Sequence, residues 1–186
     1  MSKQRCEWCL GEPTYVAYHD EEWGVPVYED QLLFEQFILE TMQAGLSWIT
    51  ILKKRKRYRE VTHQFNPAYM ASLNDTDLQS LMSDSGIIRN RLKIASLKKN
   101  ALAYLEIKKE QSFADFLWSY VDHKTIKNDH YSLSDLPVQT PISVALSKEL
   151  KKRGFTFVGP TVVYAFMQAV GMVNDHVVNC HRYEEV

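Results

Sequence analysis

Six side chains able to bind a metal crowd the two ends of the sequence: Cys6, Cys9 and His19 near the start, His176, Cys180 and His181 near the finish. His176 and Cys180 are four residues apart, a spacing that sets both on one face of a helical turn. Two thiolates with two imidazoles are the usual donors of a closed tetrahedral zinc site, which keeps no position for a reacting water. Spacing alone leaves open which of Cys6 and Cys9, and which of Cys180 and His181, would serve. Any such site would staple the first residues of the chain to the last.

A second constellation lies at 39–50. The stretch reads as the end of one helix, a turn at Gly45, and a new helix capped by Ser47. Glu40 and Gln43, three apart, are neighbours on the first helix, and Trp48 opens the second. A carboxylate, an amide and a broad π-face at one corner can hold a flat cationic ring. Taken alone, the stretch favours a plainer reading, a surface carboxylate beside a core tryptophan. A third feature is the helix–glycine turn–helix pattern from Gly154 to Gly171, with Lys151-Lys152-Arg153 beside it. Backbone amides at such a turn, with Gly159 opening the second helix, can bind a phosphate without reading sequence.

The elements that must position these groups are helical. Asp30 is a plausible cap for an amphipathic helix that buries Leu33, Phe34, Phe37, Ile38 and Met42 and runs to about Ala44. The helix from Ser47 ends in the basic run 53–59, which suits a helix C-terminus. Further helices are expected after Asn66-Pro67, from about Thr76 to Gly86, from Arg89 to Lys109, from Ser112, and from Thr140-Pro141 to Arg153. Residues 1–29 show no helical period, yet they hold Trp8, Tyr15, Tyr18 and Trp23, more aromatic surface than a floppy tail carries. Residues 123–139 read as a long polar loop. Strand-like alternation is nearly absent, so the expected class is all-α, in one domain spanning 1–186.

Composition bounds the function. A net charge of −1 gives no global attraction to nucleic acid, so any basic patch must be local. Three cysteines, no signal peptide and no apolar run of membrane length point to a cytoplasmic protein with no disulfide framework and no membrane partner. A monomer is the default expectation.

With these residues laid out, the sequence resembles the DNA-3-methyladenine glycosylase I family of the helix-hairpin-helix glycosylase superfamily over nearly its whole length. The likeness rests on Cys6 with Tyr15-x-x-Tyr18-His19-Asp20-x-Glu22-Trp23-Gly24-Val25-Pro26, on Leu39-Glu40 and Gln43-Ala44-Gly45-Leu46-Ser47-Trp48, and on Gly86-Ile-Ile-Arg89-x-Arg91-x-Lys93. It continues through Leu146-Ser147-Lys148 and 151–161 to Asn174-Asp175-His176-Val-Val-x-Cys180.

The resemblance implies one structural zinc held by Cys6, His19, His176 and Cys180, with Cys9 and His181 as competitors. It implies a base pocket of Glu40, Tyr18 and Trp48, with Trp8, Tyr15 and Trp23 beside them. A hairpin at 157–161 would grip one phosphate of double-stranded DNA, with Gly159, Thr161 and Lys152 as contacts. The implied reaction is hydrolysis of the N-glycosidic bond of 3-methyladenine, in which Glu40, kept ionised, reads the positive charge of the methylated base. Asp175 competes with Glu40 for the role of assisting carboxylate, or else supports the zinc site from outside it. No lysine follows Gly159 in the turn region, so strand cleavage is not expected. The rival reading is a zinc-stapled helix-hairpin-helix module that binds DNA without chemistry, and it has no use for Glu40 and Trp48.

Overall fold

A computed structural model describes residues 3–186, and these form nine α-helices around one apolar core. In chain order they are α1 (Pro13–Glu21), α2 (Asp30–Gln43), α3 (Trp48–Val61), α4 (Pro67–Ser72), α5 (Asp75–Ser83), α6 (Arg91–Glu110), α7 (Phe113–Trp118), α8 (Pro141–Lys152) and α9 (Pro160–Ala169). A two-stranded parallel ribbon pairs β1 (Ile126–Lys127) with β2 (Val173–Asn174), a small exception to the expected all-α class.

The central helix is α2. Its Leu33, Phe34, Phe37, Ile38, Leu39 and Met42 are buried, and it packs against α3, α6, α7 and α9. Glu40 and Thr41 are buried too, so α2 is enclosed on nearly every side at its C-terminal half. Phe37 meets Phe113, Phe155 and Phe166 edge-on, which ties α7, the hairpin and α9 to the same helix.

Local chemistry explains most boundaries. Thr140 and Ser143 form a capping box with Pro141 in the first turn of α8. Asn66, Asn74, Asn90 and Ser112 each cap the helix that follows through the side-chain oxygen. Gly45 has φ +77°, which lets the chain reverse between α2 and α3.

The structure departs from the sequence reading at four places. Residues 13–21 form α1, although they carry no apolar stripe, because the helix packs aromatic side chains around a cavity and a cysteine–histidine cluster. Glu29, not Asp30, caps α2, accepting from the amides of Gln31 and Leu32. Asp30 instead accepts from the amides of Phe113 and Ala114 and pairs with Lys108, so it caps α7 from across the fold. Ser47 occupies the N-cap position of α3, but its hydroxyl bonds Thr50 Oγ1 at 2.8 Å and not a backbone amide. His176 to Cys180 is a turn following β2 and not a helical one, closed by the Cys180 amide donating to the Val177 carbonyl at 2.7 Å. No helix among the described residues is long and apolar enough to cross a membrane.

Candidate active site and metal centre

A cavity of about 210 Å³ opens at the α2–α3 corner. Its wall contains Glu40 and Gln43 from α2, Trp48 from α3, Tyr15 and Tyr18 from α1, Trp8 from the turn before α1, and Trp23 just after it. Trp48 and Tyr18 lie with ring centroids 5.5 Å apart, while Trp8 touches Tyr15, Tyr18 and Trp23 edge-on at 5.4, 6.4 and 5.0 Å. The cavity is smaller than the ~300–1,000 Å³ of a drug-sized site and suits one flat heterocycle. The Tyr15 hydroxyl accepts from the Ile49 amide at 3.0 Å, and Arg55 forks onto Glu22 at 2.5 and 2.8 Å. These two ties clamp α1 across α3 and so close the aromatic wall.

Glu40 is 3% exposed, and Oε2 has no hydrogen-bond partner. Oε1 has only a long contact, 3.5 Å, from Gln36 Nε2, which is also 3.5 Å from the Tyr18 hydroxyl. Burial without a counter-charge pushes the carboxyl up to about 8, the Gln36 contact opposing it. Burial therefore favours Glu40 as the neutral acid near neutral pH, where the sequence reading keeps it ionised. A cation entering the cavity reverses this balance, because an opposite charge at contact distance favours the carboxylate. Trp48 Nε1 is also buried and unpartnered. Two orphaned polar groups in one aromatic pocket are what a ligand would satisfy.

Sequence reasoning did not supply the other wall. Leu133 and Leu136 come from the polar loop between β1 and α8, and Ala165 and Gln168 from α9. Lys93, buried on α6, donates to the Met42 and Ala44 carbonyls at 2.7 Å each. It thereby neutralises the C-terminal end of α2 just where the chain turns into the pocket. Its place in the Arg89-x-Arg91-x-Lys93 motif was the only sequence sign of it.

Behind Trp23 lies the cysteine–histidine cluster. Ligand atoms of Cys6, His19 and Cys180 all lie within 4.8 Å of one another, with Cys180 Sγ 3.4 Å from His19 Nε2. The His176 ring centre is 5.1 Å from that of His19. His19 Nδ1 faces Asp20 at 2.8 Å and His176 Nδ1 faces Asn174 Oδ1 at 3.0 Å, which leaves both Nε2 atoms for the cluster. His176 Nε2 is buried with no partner. Side by side, the Cys6 and Cys180 sulfurs share one proton in favour of Cys6, which holds the Cys180 thiol below the usual range and pushes Cys6 far above it. Two sulfurs, an imidazole nitrogen beside them and an orphaned second imidazole nitrogen fit a tetrahedral zinc. Cys9 stands outside this group, its thiol donating to the Cys6 carbonyl at 3.1 Å, and His181 Nδ1 faces the Gln4 carbonyl at 3.0 Å. Gly24, at φ +79°, is wedged against the cluster, where a Cβ would come within 2.7 Å of His176 Cε1.

The hairpin joins α8 to α9 with Gly154 and Phe157 in the left-handed region. Asn100 on α6 locks the turn, accepting from the Thr156 amide at 2.8 Å and donating to its carbonyl at 3.2 Å, and Ser147 donates to the Val158 carbonyl at 2.6 Å. Gly159 starts α9 with open space beyond its Cα, and Thr161 and Lys152 are exposed. Several cations of the basic run 53–59 on α3 face carboxylates. Lys53 pairs with Glu12, Arg55 with Glu22, Arg57 with Glu60 and Asp84, and Arg59 with Glu35, so these cations tie α3 to its neighbours.

Asp175, the competing carboxylate, is 1% exposed and does not line this cavity. It accepts from Asn128, Tyr164 and Gln168 and faces His130, and it bonds neither histidine of the cluster. Asn174 is the residue that supports His176.

The comparisons agree with this geometry. Residues 8–183 match the model of the methyladenine glycosylase family. DNA-3-methyladenine glycosylase 1 of Escherichia coli is 51% identical over 181 residues, 97% of each chain. A crystal structure of 3-methyladenine DNA glycosylase I superposes with a TM-score of 0.94 at 51% identity, covering 96% of this chain and 98% of that one. A variant of 3-methyladenine DNA glycosylase I in complex with 3-methyladenine superposes with a TM-score of 0.92 at 36% identity, covering 95% and 96%. With the aromatic cavity, the hairpin and a match along nearly the whole sequence in agreement, the chain belongs to the methyladenine glycosylase family.

Proposed function

We propose that this protein excises 3-methyladenine from alkylated double-stranded DNA by hydrolysing the N-glycosidic bond. The observation that carries the reading is Glu40, a buried and nearly unpartnered carboxyl in a cavity walled by five aromatic rings. A methyl group on nitrogen 3 makes adenine cationic while it is joined to the sugar, and the base then leaves neutral. The nucleotide is extruded from the duplex into the cavity, at a cost of a few kcal/mol that damage reduces. Trp48 and Tyr18 stack on the ring, and the cation gains about 0.5–2 kcal/mol that neutral adenine does not. Glu40 gives up its proton as the cation arrives and then offers a charge-assisted acceptor that normal adenine cannot elicit. Discrimination is thus a reading of charge.

Trp8, Tyr15 and Trp23 complete the wall. At the hairpin, Gly159 and Thr161 offer amides at the start of α9, and Lys152 adds charge for one backbone phosphate. The DNA phosphates and the Glu40 carboxylate stabilise the developing sugar cation. Residues 160–169 contain no lysine, so no amine is supplied there for a Schiff base, and the product is an abasic site with both strands whole. Cys6, His19, His176 and Cys180 would hold one zinc ion, which supplies a cross-link between the chain ends and no open position for catalysis. That link fixes Tyr18, beside His19, over the cavity.

The test is release of 3-methyladenine from methylated duplex DNA. Wild type should release the free base without forming a borohydride-trapped adduct. Glu40→Gln should be slower by about 10- to 150-fold, the 1.5–3 kcal/mol of a charged hydrogen bond. No release by wild type, with tight binding to abasic DNA, would establish the non-enzymatic DNA-binding module instead. Zinc should be lost in Cys6→Ser and retained in Cys9→Ser.

A further inference from the structure

The far wall of the cavity holds a group that the charge-reading mechanism leaves unused. Gln168 on α9 lines the cavity and donates through Nε2 to Asp175 Oδ2 at 2.7 Å. Asp175 is surrounded by donors: the Tyr164 hydroxyl at 2.6 Å, Asn128 Nδ2 at 2.7 Å and His130 Nε2 at 3.2 Å. A carboxylate only accepts, so the Gln168 amide has one allowed orientation: Nε2 inward on Asp175 and Oε1 turned away from it. Among the described residues nothing donates to Oε1, and it is not sealed in the interior.

The position of Gln168 says which part of a flipped nucleotide it would meet. Thr161, Ala165 and Gln168 are four and three residues apart and share one face of α9. That face starts exposed at the hairpin and runs through Ala165 into the cavity wall. The phosphate end of the nucleotide belongs at the hairpin, and the base belongs with Glu40 and Trp48 on α2 and α3. Gln168 therefore stands beside the sugar, and Ala165, a single methyl, gives the sugar room to approach the helix.

We infer that Gln168 Oε1 accepts a hydrogen bond from the water that attacks the sugar, and that Asp175 is the positioning residue that fixes this amide. In the step, the bond from C1′ to the base nitrogen breaks and the base keeps both electrons, leaving neutral. The water oxygen bonds C1′ and its proton passes to solvent. Gln168 takes no proton, since an amide oxygen is too weak a base. It orients, as glutamines that align an attacking water do in nucleotide hydrolases.

The inference rests on the glycosylase reading, and the experiment separates the two. Wild type and Gln168→Met, which keeps the length and loses the acceptor, are compared in three measurements. These are single-turnover release of 3-methyladenine, binding of the free base followed by tryptophan fluorescence, and the ratio of hydrolysis to methanolysis at C1′ in dilute methanol. The expected result is a release rate lower by roughly 10- to 100-fold, the scale of a misplaced reactant, with base affinity unchanged. The nucleophile ratio should move toward that of spontaneous hydrolysis, which a merely structural defect would not do. Unchanged rate and ratio would overturn the inference, and so would a parallel fall in base affinity, which would make Gln168 a reader of the base. If Gln168→Met does not fold, Gln168→Ala admits water beside Asp175 and carries the same three measurements. A wild type that releases no 3-methyladenine would instead sink the glycosylase reading itself.

Discussion

Two carboxylates lie at the heart of this protein under opposite conditions. Glu40 is 3% exposed and Asp175 is 1% exposed, so burial does not separate them. Partners do. Asp175 has four groups within hydrogen-bond distance, two from α9 and two from the segment after β1. Glu40 has one contact at the limit of a hydrogen bond and one oxygen with none. A buried carboxylate that is fully satisfied stabilises the fold around it, whereas one left bare costs free energy until something arrives to pair with it. The first has the surroundings of a positioning group and the second those that the proposed base pocket needs, although motif position alone had made them competitors for one role.

Removing Asp175 should have the largest effect on stability. Asp175→Ala would strand the Tyr164 hydroxyl and the Gln168 and Asn128 amides, and it should cost about 3–5 kcal/mol in urea denaturation. A loss below about 1 kcal/mol would show that water replaces the carboxylate easily and that the network is not scaffold.

Glu40 should show the opposite sign, and only at high pH. Its folded pKa of about 8 exceeds the unfolded value of 4.5, so the folded state binds the proton more tightly. The stabilisation is complete below the unfolded value and is lost as pH rises through the folded one. Between about pH 6 and pH 9 this group alone should remove about 2–3 kcal/mol, and Glu40→Gln should abolish that part of the decline. The variant is thus expected to be more stable than wild type at high pH while losing excision activity, a trade that marks a functional site. Identical pH slopes in the two proteins would mean that Glu40 is not held neutral.

This contrast also marks what the sequence could disclose. The hairpin was legible because its signals are local: Thr140-Pro141 opens α8, Lys151 to Gly154 closes it, and Gly159-Pro160 starts α9. The meeting of Glu40 with Trp48 was legible because one turn at Gly45 joins them. What stayed hidden was long-range. Asp30 caps a helix 83 residues away, and Leu133 and Leu136 reach the cavity from a loop whose composition is otherwise polar. Helix α1 was missed because its side chains answer to a cavity and a cysteine–histidine cluster, so no apolar period marks it. The orientation of Gln168 depends on Asp175, which is itself held by Tyr164 on α9 and by Asn128 and His130 after β1, and no local pattern encodes that.

One donor to each carboxylate separates them by a smaller amount. Asn128 donates to Asp175 at 2.7 Å, and Gln36 reaches Glu40 at 3.5 Å; both donors are half-buried. Asn128→Ala removes one of several donors to Asp175, and should cost about 1 kcal/mol, the same at high and low pH. Gln36→Leu behaves differently, because burial favours the neutral form of its partner. Near pH 6 the loss should lie within about 0.5 kcal/mol, the range of a dispensable contact. Near pH 9, where Glu40 must ionise, the Gln36 amide is its one donor, and the loss should grow to about 1.5 kcal/mol or more, as for a hydrogen bond to a charged group. Urea denaturation of both variants at the two pH values measures the difference. A pH-independent loss in Gln36→Leu would show that the 3.5 Å contact does not govern the Glu40 proton, and the bare state of that carboxyl would then rest on burial alone.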